Sequence, residues 1–169
     1  MNLIIISGLP CSGKSTLAEG IAQKLKLPLF SVDPIESAII KSGIAKSFET
    51  GLSAYLVCET LAREQLKLGM SVIIDAVSSV KEARDMWHNL ANECQAKLTI
   101  IECILDSRVH KKRVEERVRN MPGIPEVTWE RVEQVREEYL PWQEDRLIVD
   151  TANIRENNLA KTLEYLNNF

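Results

Sequence analysis

The run Gly8-Leu9-Pro10-Cys11-Ser12-Gly13-Lys14-Ser15 sets two glycines, a lysine and a hydroxyl at the spacing G-x-x-x-x-G-K-S, the pattern of a phosphate-binding P-loop. Its glycines let the backbone curl until successive amides point at phosphate oxygens. The dipole of a helix beginning near Ser15 adds positive potential at the same place. In this reading Lys14 reaches the β and γ phosphates and the Ser15 hydroxyl ligates Mg2+. The nucleotide-binding set runs unbroken from Gly8, Leu9, Pro10, Cys11, Ser12 and Gly13 to Thr16. Cys11 has two readings: a redox-sensitive thiol whose pKa is lowered by helix dipoles, or a loop position that contributes only its amide.

Two carboxylates and a pair of arginines complete a phosphoryl-transfer set. Asp33 follows the apolar Leu29-Phe30-Ser31-Val32 and precedes Pro34. It reads either as the N-cap of the next helix or as a base that accepts the proton of an attacking hydroxyl, and the two roles are compatible. Asp75 closes Val72-Ile73-Ile74 in the manner of a Walker-B strand, whose acid holds Mg2+ directly or through water; binding substrate and capping a helix near Val80 are the alternatives. Arg113 and Arg117 stand four apart, on one face of a predicted helix, with Arg108, Lys111, Lys112 and Arg119 close by. They read as mobile cations that neutralise a phosphoryl transition state, or as a solvated face paired with Glu115 and Glu116.

These groups need elements to hold them. Strand-length apolar runs occur at Leu3 to Ile6, Leu29 to Val32, Val72 to Ile74, Leu98 to Leu105 and Leu147 to Val149, and suit strands buried on both faces. Helical patterns lie between them: Ser15 to Lys26, Pro34 to Lys41, Leu52 to Leu68, Val80 to Cys94, Arg108 to Arg119, Thr128 to Tyr139 and Glu156 to Leu166. The alternation predicts an α/β fold, a doubly wound parallel sheet of five strands between two helical layers, with ligands at the carboxyl ends of the strands. Gly8, Asp33, Asp75, Asp106 and Asp150 fall at those ends. Pro122, Gly123 and Pro125 interrupt two charged helices and predict a mobile hairpin, so that a helical lid spans about 108–140.

Composition narrows the partners. At 169 residues, 45% hydrophobic and 27% charged, the chain is expected to form a single domain, 1–169. The formal charge of −3 gives no basic field over the whole protein, which disfavours nucleic acid. Four cysteines without CxxC spacing predict a reduced, cytoplasmic protein without structural zinc. The apolar start, Leu3 to Ile6, is too short for a signal peptide or a membrane span. His88 and His110 are expected on the surface. Trp87, Trp129 and Trp142, with Phe30 and Tyr139, are expected to pack, while Tyr55 lies where an acceptor pocket would form.

Taken together, the P-loop, the strand-end aspartates and the Arg-x-x-x-Arg helix make the chain resemble the small P-loop kinases: chloramphenicol phosphotransferase, gluconate kinase, the kinase domain of phage polynucleotide kinase and, more distantly, adenylate kinase. The resemblance implies a three-layer αβα P-loop NTPase fold, ATP with Mg2+ as cofactors, and transfer of the γ-phosphoryl group to a hydroxyl of a small molecule. It implies that Asp33 is the general base or orients the acceptor, and that Arg113 and Arg117 are the lid arginines. Arg146-Leu147-Ile148-Val149-Asp150-Thr151 looks like the group's last strand, so that Thr151 to Ile154 would line adenine. The absence of an Asn-Lys-x-Asp motif favours ATP over GTP. Where polynucleotide kinases place an arginine shortly after the aspartate, this chain has Glu36. That suits a neutral or cationic acceptor, with Lys41 and Arg63 as other sources of charge. A 5′-hydroxyl polynucleotide kinase and a non-kinase ATP-binding regulatory module are the competing readings.

Overall fold

In the computed structural model, which describes residues 1–167, strands and helices alternate in the order β1 (Asn2–Ser7), α1 (Lys14–Leu25), β2 (Leu29–Ser31), α2 (Val32–Lys41), α3 (Phe48–Lys67), β3 (Val72–Asp75), α4 (Lys81–Glu93), β4 (Lys97–Ile104), α5 (Ser107–Glu116), α6 (Trp129–Glu138), β5 (Arg146–Asp150) and α7 (Arg155–Asn167). The last two residues of the expected 1–169 domain lie outside the described residues. All the strand pairings are parallel, and the sheet order is β2-β3-β1-β4-β5. The expected three-layer α/β fold is therefore the one observed.

Alternation along β1 separates the two cores, because successive side chains of a strand point to opposite faces. Leu3 and Ile5 join Val72, Ile74 and Ile100 beneath α3 and α4, where Ala54, Cys58 and Ala62 recur every fourth residue and let α3 lie close to the sheet. Ile4 and Ile6 join Ile73, Ile101 and Val149 on the other face, under Leu17 and Ile21 of α1 and Leu166 of α7. Trp87 and Trp142 are buried in the first of these cores, with Phe30 and Tyr139 packed against it, as expected. Gly20 lets α1 and α7 meet: a Cβ there would stand 3.3 Å from Leu159.

Helix boundaries depart from the expected ones for local reasons. Val32, expected at the end of β2, opens α2, so Pro34 sits in the first turn, where the backbone N–H that it lacks would have had no intrahelical acceptor anyway. Helix α3 begins at Phe48, not Leu52, because the Ser47 N–H donates to Thr50 Oγ1 at 3.1 Å and stops the chain there. Helix α5 ends at Glu116, three residues before the expected Arg119. The backbone of Arg117 is already extended, with φ −82 and ψ 132. Asp106 proves to be the N-cap of α5, accepting from the N–H groups of Arg108 and Val109.

Candidate active site

The loop between β1 and α1 is held by its glycines and by three neighbours. Gly8 has φ 139, and a Cβ there would stand 2.3 Å from the Cys103 carbonyl oxygen; only glycine permits that approach. Gly13, at φ 94, lies so close to Thr151 that a Cβ would meet three of its atoms at 3.2 Å. Thr151 Oγ1 donates to the Ser12 carbonyl at 2.6 Å, fastening the end of β5 to the loop. Cys11 takes the left-handed conformation at φ 63. Its side chain packs against Val114 and Val132, so what it offers the loop is backbone.

The loop is shaped for phosphate oxygens. The first-turn amides of α1, at Lys14, Ser15 and Thr16, lack acceptors within the helix, and these residues line a cleft of about 1270 Å³ together with Pro10, Cys11 and Gly13. Ser12 Oγ is buried without a hydrogen-bond partner among the described residues. The buried Lys14 ammonium donates to the Leu9 carbonyl at 2.9 Å. The side chains of Leu9 and Ser12, and Gly8, stay behind the loop and off the cleft surface.

Asp75 ends β3, and Asp33 stands in the first turn of α2, two residues past the end of the adjoining β2. Ser31 and Asp75 are partners in the register of β2 and β3, and Ile6 is the partner of Asp75 on β1. Both carboxylates therefore open onto the cleft beside the P-loop. Neither caps a helix: the N-cap of α2 is Ser31 and that of α4 is Val80. Asp75 is only 6% exposed and has no hydrogen bond or ion pair through its side chain among the described residues. An ionised carboxylate so placed wants a cation. The described residues contain no cluster of three His, Cys, Asp or Glu side chains fit to hold a metal by themselves. A lone carboxylate and a serine hydroxyl suit Mg2+, which keeps several water and phosphate ligands of its own. Asp75 and Ser15 are the residues that would hold it.

The lid region corrects several expectations. Arg113 turns toward the loop after β5, where its two terminal nitrogens donate to Thr151 Oγ1 and to the Thr151 carbonyl, each at 3.1 Å. Arg117 lies just past the helix rather than on its face, exposed at the cleft rim and without a side-chain partner among the described residues. The arginine that reaches Asp33 is Arg119, at 2.8 Å, with a side chain only 14% exposed. The sequence marked Arg119 merely as a neighbour, although it is the last cation before the Pro122-Gly123 turn that folds the chain back over α2. Glu126 Oε1 accepts from the N–H groups of Arg119 and Asn120, Ser37 Oγ donates to the Pro122 carbonyl at 2.7 Å, and Gly123 packs on Ile40. Of the charges expected to help the acceptor, Arg63 is spent on Glu59 and Glu93, and neither it nor Lys41 lines the cleft.

His110, expected on the surface, is 1% exposed. Its Nε2–H donates to the Pro10 carbonyl at 2.7 Å, and its ring meets Trp129 edge-on at 5.6 Å. The root of α5 is thus tied to the P-loop. Burial pushes the imidazole pKa below its ordinary value of about 6.5, helped by the charges of Arg136, Lys14 and Arg113 and opposed by the bond to Pro10. The fold therefore favours the neutral ring, a stabilisation that is complete above about pH 6.5 and declines as pH falls toward the lower folded-state pKa. His110→Gln, which keeps a donor but does not titrate, should lose less Tm than the wild type between pH 7 and 5.5 in thermal melts. Parallel losses would remove His110 from the account.

Other sequence-marked residues fall into place. Tyr55 lines the cleft, accepts from the Ser78 N–H at 3.1 Å, and has its pKa pushed up to about 12 by burial, so it is a neutral fixture. Cys58 and Cys103 are likewise pushed to about 12 by burial and stay thiols. Thr151, Ala152 and Asn153 line the cleft, while Ile154 points away, 65% exposed. Gly51 stands in the first turn of α3, where glycine costs a helix about 1 kcal/mol relative to alanine. A Cβ there would meet nothing nearer than Glu36 Oε1 at 3.8 Å.

A family model described as an AAA domain matches residues 3–142. Among curated proteins, the bifunctional polynucleotide phosphatase/kinase of Schizosaccharomyces pombe is 30% identical over 99 residues, 59% of this chain and 20% of the relative; the chain thus spans about a fifth of the curated protein it matches. Among solved structures, a candidate kinase from Chloroflexus aurantiacus J-10-fl gives a TM-score of 0.79 at 23% identity, covering 96% of this chain and 97% of its own. A gluconokinase from Sinorhizobium meliloti 1021 gives a TM-score of 0.66 at 19% identity, covering 98% and 95%. Likeness at these identities is likeness of fold, and the fold is the three-layer α/β arrangement of a P-loop protein that the sequence led us to expect. No helix among the described residues is long and apolar enough to cross a membrane.

Proposed function

The chain belongs to that AAA domain family, and we propose that within its fold the protein is an ATP-dependent kinase that moves the γ-phosphoryl group to a hydroxyl of a small molecule. The observation that carries this reading is that two carboxylates, Asp33 at the start of α2 and Asp75 at the end of β3, line the cleft beside a complete P-loop. Binding alone would not need both.

The loop amides and Lys14 grip the phosphates, and Thr151 to Asn153 border the space for the base. Mg2+ at Ser15 and Asp75 would neutralise phosphate charge. Asp33 accepts the acceptor's hydroxyl proton; the oxygen forms its bond to the γ-phosphorus as the bond to the bridging oxygen breaks, and ADP leaves with that electron pair. Arg117, unpaired at the rim, adds positive charge when the lid closes. Arg119 and Asp33 hold each other in the absence of substrate, so the acceptor's hydroxyl enters by displacing the guanidinium or sharing the carboxylate with it.

A filter assay with labelled ATP, comparing 5′-hydroxyl oligonucleotides with sugars, nucleosides and antibiotics, tests the proposal. The kinship with the polynucleotide phosphatase/kinase makes the oligonucleotide arm the second reading. Slow phosphate release that no compound accelerates would instead mark an ATP-binding module.

The lid supplies a further expected result. With ATP and Mg2+, residues 117–128 should exchange amide hydrogens more slowly than in the free protein, and Arg117→Ala should slow single-turnover transfer by about 10-fold or more with little loss of ATP affinity. Equal exchange in both states and an unchanged rate would leave Arg117 a solvated charge.

A further inference from the structure

We propose that the acceptor half of the cleft is shaped for an alcohol carried on an apolar body and lacking any anionic group, an inference that rests on the kinase reading above. Helix α3 turns Phe48, Leu52 and Tyr55 to the cleft, and Val80, Ala83 and Met86 face it from the start of α4. Phe48 is 80% exposed, Leu52 45% and Val80 40%. These are large apolar groups left in water at the mouth of a site whose floor carries Asp33 and Asp75.

The lid does not account for them. Its hairpin docks on α2, through Ser37 to Pro122 and Gly123 to Ile40, and leaves the Phe48–Leu52 edge of α3 uncovered. A polyhydroxy compound would find few neutral polar groups along the α3 side of that face: the Tyr55 hydroxyl accepts from the Ser78 N–H and keeps one proton to donate, and Thr50 Oγ1 donates to the Ser47 carbonyl at 2.8 Å. A flat or bulky apolar body would instead remove the exposed side chains from water.

Charge selects against an anion. The charged side chains that α2 and α4 bring to this half besides Asp33 are Glu36 and Glu82, both acidic. The facing cations stand elsewhere: Arg119 is paired with Asp33, Lys46 precedes α3, and Arg131 lies on α6 with its own contact to Gln134. An acceptor carboxylate or phosphate lying between α2 and α4 would face Glu36 and Glu82, with Lys46 standing on the α3 side instead, whereas an amine would be welcome.

Gly51 provides the test, because a side chain at that position enters the cleft beside Glu36 and strengthens the helix instead of breaking it. Labelled-phosphate transfer and calorimetric binding would be measured with phenylalaninol, 3-phenyl-1,2-propanediol, 3-phenyllactate, D-gluconate and a 5′-hydroxyl oligonucleotide. The first two should bind and accept phosphate, phenyllactate should bind at least 10-fold more weakly, and Gly51→Leu and Leu52→Asp should each weaken the two phenyl alcohols by 10-fold or more while ATP still binds. Preferential transfer to gluconate or the oligonucleotide would overturn the inference and leave the kinase reading standing. So would failure of both phenyl alcohols to bind a protein that binds ATP. Failure to bind ATP at all would remove the kinase reading and this inference together.

Discussion

Replacing Lys14 by alanine should reduce phosphoryl transfer to below about 10⁻³ of the wild-type rate and weaken ATP binding severely, since the charge that it removes is the P-loop's own cation at the β and γ phosphates. Lys14 is 8% exposed, lines the cleft, and among the described residues its ammonium has only the Leu9 carbonyl as partner. Phosphate is the counterion that compensates it. Lys14→Met, which keeps the stem and loses the charge, should match the alanine variant in calorimetric titration, because the loss is electrostatic. Unchanged ATP affinity in either variant would mean that the loop does not hold a triphosphate.

The second large effect belongs to Asp33. Asp33→Asn should leave ATP affinity within about threefold and lower turnover by roughly 10² to 10⁴, the range for a lost general base. The amide keeps the shape and still accepts from Arg119, so the lid contact survives, but it cannot take up a proton. Asp33 caps nothing, but its charge stands in the first turn of α2, so its helix should lose no more than about 1 kcal/mol; circular dichroism melts of the variant separate a chemical defect from a structural one. Turnover close to wild type would reduce Asp33 to an anchor for Arg119.

Much of this site was legible in the sequence because short-range chemistry dictates it. Gly8 and Gly13 are needed where a Cβ would strike Cys103 and Thr151, and a strand that ends in an acid puts that acid at the ligand edge of a parallel sheet wherever the strand lies. Arg117 and Arg119 were misjudged because helical periodicity places residues only while the helix lasts. Once the chain leaves α5 at Glu116, the direction of each arginine depends on how the hairpin docks on α2, a tertiary matter carried by Ser37, Ile40 and Glu126. His110 was misplaced for a related reason. A histidine among charged neighbours looks solvated, and nothing nearby in the chain announces that Pro10, a hundred residues earlier, presents a carbonyl to it. The early start of α3 was hidden because Ser47 and Thr50 do the work for which the familiar capping signature uses a glutamate or glutamine.

The strand order β2-β3-β1-β4-β5 also divides the molecule's inheritance. The groups that fasten the nucleotide loop, from His110 to Arg113 and Thr151, come from the β4–β5 side, whereas α3, which carries Phe48 and Leu52, stands over β2 and β3. A substitution at Phe48 or Leu52 therefore touches no residue that grips the triphosphate. Redrawing that face would change what the acceptor half can hold and leave the donor machinery as it is.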